Sequence, residues 1–209
     1  MIKVFKMSLL SGIILLLFIL SFGFLLWILI PKFLETPAYQ VELSDSEFQL
    51  RRYDSFITTR VDMNGNQNEV LRKGFRPLVR FIGAKERSSE KISMTVPVMQ
   101  EKTSSEGTWL VSFSMPSKYS LDNLPKPTNE SLKQQLVPEK LMAVIRFNGK
   151  ASEDLLQAKE IELRKWIEKR DLSVVGLVHY YFYNDPTTPG IFRRNEVLLE
   201  VSLQETVVN

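Results

Sequence analysis

The feature that most narrows the folds open to this chain is that its second half replays the first. Phe56–Met63 reads as a strand closed by Asn64-Gly65, and Gln67–Ile82 carries helical spacing. Two strand-like segments follow, Glu90–Gln100 and Trp109–Met115, and then a proline-broken connector from Pro116 to Pro127. The order then recurs: strand Lys140–Phe147 closed by Asn148-Gly149, helix Ser152–Lys169, strands Val174–Tyr183 and Glu196–Leu203. With one residue inserted, Val70, Leu71, Leu78, Phe81 and Ile82 match Leu155, Leu156, Leu163, Trp166 and Ile167. A repeated strand–helix–strand–strand order of this length predicts a duplicated βαββ unit. Together with strands Tyr39–Leu43 and Phe48–Tyr53, it predicts one α+β domain with a curved antiparallel sheet and two helices.

The two helices differ in one respect. The apolar residues of the second make a stripe about 120° wide, the width of an ordinary core-facing helix. In the first, Phe75 and Val79 widen the stripe to about 180°; the matching positions of the second are Glu160 and Arg164. Arg72, Arg76 and Arg80 border the extension at four-residue intervals. An apolar shelf with a guanidinium rim suits a flat apolar molecule bearing carboxylates, which arginine pairs bidentately. A solvated arginine face beside a wide core stripe gives the same pattern. Pro77 removes one intrahelical hydrogen bond and predicts a local kink.

Ahead of the domain, Met7–Pro31 contains no charged residue. That length exceeds the roughly 30 Å hydrocarbon core of a bilayer, and no small-residue cleavage site follows. The expected organisation is therefore a short cytoplasmic N-terminus (1–6), a single-pass transmembrane anchor (7–31), a linker (32–38), the domain (39–203) and a tail (204–209). Lys3 and Lys6 precede the span, so the positive-inside tendency places the domain on the extracytoplasmic side of the cell membrane. The chain has 27 basic and 24 acidic residues, and Lys3, Lys6 and Lys32 supply the whole excess. The domain itself is neutral, which argues against nucleic acid as a partner.

Catalytic signatures are missing. With no cysteine and a single histidine, His179, the sequence builds no ordinary protein zinc site. His179 could supply one ligand to a haem iron, or be packing in the aromatic strand around it. No nucleophile elbow, phosphate loop or dinucleotide fingerprint occurs, so the chain reads as a binding protein and not an enzyme. Arg193-Arg194-Asn195-Glu196 either pins the start of the last strand or lines a cleft.

In order along the chain stand Phe48-Gln49-Leu50-Arg51-Arg52-Tyr53, Gly74-Phe75-Arg76-Pro77-Leu78, Glu90-Lys91-Ile92-Ser93-Met94-Thr95-Val96-Pro97-Val98, Met115-Pro116-Ser117-Lys118-Tyr119 and Arg193-Arg194-Asn195-Glu196-Val197. This series closely resembles the SOUL family of haem-binding proteins. The resemblance implies a distorted barrel-like sheet flanked by two helices, akin to bacterial effector-binding domains. It also implies non-enzymatic binding of haem or another porphyrin in a shallow cleft along the first helix. By position, Arg72, Val79 and Arg80 fall where family members contact the tetrapyrrole, and Phe75 and Arg76 complete the expected site. Two positions depart from the family: Arg52 stands where some animal members are proposed to place an axial histidine, and Pro189 where a porphyrin-contacting lysine is implicated. The alternative reading is a membrane-tethered sensing or protein-interaction module that takes another apolar ligand or a partner peptide. In either case Ile92, Met94, Val96 and Val98 are expected to pack beneath the first helix, with Pro97 ending or bulging their strand.

Overall fold

The structure, a computed structural model, describes residues 9–85 and 90–203. It divides into two compact units, Met1–Leu34 and Glu35–Asn209. The first holds helix α1 (Leu9–Leu29) and a short 3-10 turn, Ile30–Phe33. The α1 backbone runs 21 residues without a charged side chain. Among the residues whose side chains are described, no helix is long and apolar enough to cross a membrane; Leu9, Leu10, Leu25 and Ile28 fall outside that set. The expected cytoplasmic N-terminus (1–6) and tail (204–209) lie outside the described residues.

The second unit contains strands β1 (Tyr39–Asp45), β2 (Phe48–Tyr53) and β3 (Phe56–Asn64), helix α2 (Gln67–Ile82), and strands β4 (Val98–Lys102), β5 (Thr108–Ser114), β6 (Leu132–Val137) and β7 (Lys140–Phe147). Helix α3 (Glu153–Glu168) and strands β8 (Leu172–Phe182) and β9 (Asn195–Leu203) complete it. All nine strands form one antiparallel sheet in the order β1-β2-β7-β9-β8-β4-β5-β3-β6. Its centre, β7-β9-β8-β4-β5-β3, reads the same from either end once β3, β4 and β5 are exchanged for β7, β8 and β9. Met63 faces Trp109 as Phe147 faces Asn195, and Lys102 faces Trp109 as Phe182 faces Asn195. The local two-fold axis therefore passes through the paired Gln100 and Tyr180.

The turns entering the two helices are copies. Gly65 and Gly149 sit at φ 136° and 126°, where an L side chain is strained. Asn66 and Ser152 then cap α2 and α3 by accepting from the Glu69 and Leu155 N–H groups. The Gly65 carbonyl accepts from Trp109 Nε1, and the Gly149 carbonyl from Asn195 Nδ2.

Sequence adjacency misleads at the sheet's margins. Two residues separate β2 from β3, yet β2 pairs with β7; Pro138-Glu139 separates β6 from β7, yet β6 pairs with β3. Each half thus lends its leading strand to the other, which ties the duplicated units into one sheet. Among the described residues β1 and β6 are the two ends of the pairing order, so the distorted barrel-like sheet is not closed by hydrogen bonds between them.

Both helices lie on one face of this sheet. Leu78, Phe81 and Ile82 of α2 pack on Ile57, Val61, Val111 and Phe113. Leu156, Leu163, Trp166 and Ile167 of α3 pack on Ala143, Ile145, Val197 and Leu199. The segment Glu90–Gln100 departs from expectation. Pairing in the sheet begins only at Val98, because Pro97 has no N–H to donate to a ladder. Ahead of it Thr95 makes an isolated bridge with Glu35, so Glu35 is already tied into the folded unit. Ile92 and Val96 are buried as expected, but Met94 is 60% exposed and packs beneath nothing.

Candidate functional site

Helix α2 spans its predicted residues and continues through Pro77. Gly74 sets its height above the sheet: a Cβ there would stand 2.8 Å from the Val111 side chain, so only glycine permits this approach. The next residue, Phe75, is thereby laid over the outer part of the core. Its ring meets that of Phe113 edge-on at 5.4 Å between centroids, yet 42% of the residue stays exposed. Val79, one turn on, is half-buried beside it, and Arg72, Arg76 and Arg80 are exposed along the same helix. Glu69 is engaged by Lys73 at 2.6 Å, which holds its carboxyl below the usual range. The five residues singled out in the sequence thus share one helix, with an apolar ring bordered by guanidinium groups.

His179 is elsewhere. On β8, Val178 and Tyr180 join the helix-side core, so His179 and Tyr181 face the other way. The sheet separates His179 from α2, and a porphyrin lying on α2 is beyond its reach as an iron ligand. Its ring is half-buried against Tyr181, with Nδ1 3.6 Å from Glu101 Oε2. Burial, with the positive charge of Lys140, pulls its pKa down to about 4. Arg52 is committed at the surface to Glu42 and Glu139, at 2.6 and 3.2 Å. Pro189 is exposed ahead of a short 3-10 turn, Gly190–Phe192.

The Arg193–Glu196 run is structural. Arg193 Nε donates to the Thr188 carbonyl at 2.7 Å, and Asn195 donates to Gly149. Glu196, on the face away from the helices, is fully buried against Arg51 and Arg194. The sequence reading passed over Arg51. Alternation along Leu50-Arg51-Arg52 was the available signal, since Leu50 joins the helix-side core and Arg51 must then point to the opposite face.

The domain is thus a two-fold-related α+β fold that presents an exposed aromatic and arginines on one helix. The particular family is then plain: the profile of the SOUL heme-binding protein family matches residues 34–200, and the chain belongs to that family. No curated protein matches it. Among solved structures, the EcmrR C-terminal domain is similar with a TM-score of 0.58 at 11% identity, covering 79% of this chain and 98% of that one. A protein from Listeria innocua described as a hydrolase is similar with a TM-score of 0.54 at 13% identity, covering 77% and 94%. At these identities the likeness speaks for the fold alone.

Proposed function

We propose that the protein is a membrane-tethered, non-enzymatic binder of haem or another tetrapyrrole, held on the exposed face of α2. Phe75 and Val79 supply the apolar surface for the macrocycle, and Arg72, Arg76 and Arg80 pair its propionates. The observation that carries this reading is the exposed Phe75. A large aromatic left 42% open on a well-packed helix, beside arginines, fits a flat apolar dianion. A bound macrocycle would contribute a rigid apolar plane, and this chain's part is to seat that plane and neutralise its carboxylates.

The tether is α1, whose 21 uncharged residues extend about 30 Å at 1.5 Å per residue. Lys3 and Lys6 ahead of it favour a domain on the extracytoplasmic side. Titration of the full chain in detergent with haemin and with metal-free porphyrin tests the ligand. Saturable binding of both, weakened at least about tenfold by Arg72→Glu with Arg76→Glu, supports the reading. No saturable binding of either sinks it. Alkaline extraction of membranes tests the tether: release of the chain into the soluble fraction would remove it.

A further inference from the structure

The sheet face turned away from the helices is filled unevenly. On the β2-β7-β9 side, Arg51, Glu196 and Arg194 form a packed ion cluster. Across the local two-fold axis the corresponding positions hold uncharged or smaller groups. Register places Gln135 where Arg51 stands, because Gln135 faces Thr58 as Arg51 faces Met142. It likewise places Leu110 where Glu196 stands. Along β5, Ser112 lies between Arg60 and Met99, so the row across these strands has a gap at its middle. The result is a cavity of about 310 Å³ over the two-fold axis, the lower end of what small-molecule sites occupy.

Its walls carry unspent polar capacity. Thr58 is 3% exposed and its hydroxyl has no hydrogen-bond partner; Arg60 Nε, also buried, has none. Both residues line the cavity. Buried donors without a protein partner are costly, and a water or ligand that enters the cavity would complete them. The remaining polar groups differ in charge and commitment. Lys140 is already bound to Glu200 at 2.5 Å. Glu101 lies on β4, two strands from Arg60, beside His179. Leu110, Met99, Met142 and Tyr181 make the rest largely apolar.

We infer that this cavity is a second binding site, separate from α2, for a small aromatic carboxylate. Its carboxylate accepts from Arg60 and Thr58, and its ring lies between Met99, Met142 and Tyr181. A hydroxyl on the far end of the ring donates to Glu101. The two unpartnered donors select an anion at the β3 end, and Glu101 selects a donor at the β4–β8 end, so the site has a direction. A tetrapyrrole is far too large for it, which keeps the two sites chemically distinct.

The probe is 4-hydroxybenzoate, titrated into the full chain in detergent and followed by methyl NMR of Met99 and Met142. Saturable shifts of both methyls are expected, with benzamidine, its opposite in charge, giving none. Arg60→Ala is expected to weaken binding at least about tenfold, and the near-isosteric Thr58→Val by several-fold. Ser112→Phe, which fills the gap, should abolish the shifts while leaving the haemin titration unchanged. Arg72→Glu with Arg76→Glu should leave the 4-hydroxybenzoate shifts unchanged, so failure at one site is separable from failure at the other. Absence of saturable shifts at millimolar probe, equal binding of benzamidine, or indifference to both Arg60→Ala and Thr58→Val would each overturn the assignment.

Discussion

Arg51 and Glu196 face each other through two hydrogen bonds, Nη1 to Oε2 at 2.9 Å and Nη2 to Oε1 at 3.1 Å, on strands that flank β7 from either side. The pair therefore fastens β2, the strand lent across the two-fold axis, to the half that receives it. Glu196 also accepts from Arg194 at 2.7 Å and from the Tyr183 hydroxyl at 2.9 Å. The Arg51 guanidinium lies over the Tyr39 ring of the edge strand at 4.5 Å. Burial works against the ionised form of Glu196, but the two guanidinium groups prevail and hold its pKa below the usual carboxylate value.

Removing one partner of such a pair strands the other in a medium of low dielectric. Glu196→Leu is expected to cost about 3–5 kcal/mol, because Arg51 is left buried and uncompensated. Combining it with Arg51→Met should recover most of that loss, since the stranded charge is gone. Urea unfolding of the three variants reads this directly. A double variant as unstable as Glu196→Leu alone would show that the pair's worth is attraction and not mutual neutralisation.

Gly74 and Val111 give a second expectation. Alanine normally favours a helix over glycine by about 1 kcal/mol. Here the added methyl would lie 2.8 Å from Val111 Cβ and Cγ2, both rooted in the sheet. Overpacking of this kind costs about 1–3 kcal/mol, so Gly74→Ala should destabilise on balance. Val111→Gly, which removes both the Cβ and the Cγ2 contacts, should cost stability alone yet relieve the clash in combination, giving a favourable coupling in a double-mutant cycle. Strict additivity would mean that α2 shifts freely on the sheet.

His179 makes stability depend on pH in a defined window. Its pKa is lowered from 6.5 to about 4 in the fold, mainly by burial. Between those values the unfolded chain binds the proton more readily, so stability falls as pH drops from about 6.5 towards 4 and is level above that range. The loss is bounded at about 3 kcal/mol, and the Glu101 carboxylate at 3.6 Å opposes it by favouring the charged ring. His179→Phe should flatten the profile between pH 6.5 and 4 while leaving the decline at lower pH, where the unfolded chain's Glu196 takes up a proton that the folded carboxylate, held below its usual pKa, does not. Denaturant midpoints measured across pH for both forms would separate the two contributions.

Much of this molecule was legible because its halves share a pattern with strong periodicity. Helix α2 has the residues that its spacing predicts, and Val70, Leu78, Phe81 and Ile82 are buried as their α3 counterparts imply. Strand β6 went unseen since Leu132–Val137 contains Lys133, Gln134 and Gln135, with little apolar alternation to announce an edge. The exchange of β2 and β6 left no trace either. A two-residue link between strands reads as a hairpin, and only pairing across the whole sheet decides otherwise. The Arg60–Thr58 cavity was equally hidden, because it is created by what Ser112 lacks and not by a motif.

The α2 shelf predicts binding that does not depend on iron. Phe75 and Val79 offer apolar contact, the arginines offer charge, and His179 lies behind the sheet from both. Haemin and metal-free porphyrin should therefore bind within a few-fold of each other. Phe75→Ala should weaken both about tenfold, through loss of roughly 1–2 kcal/mol of ring contact. His179→Ala should leave both affinities, and the Soret band of bound haemin, unchanged. A haemin affinity far above that of metal-free porphyrin, lost in His179→Ala, would place the macrocycle on the opposite face of the sheet and remove α2 from the account.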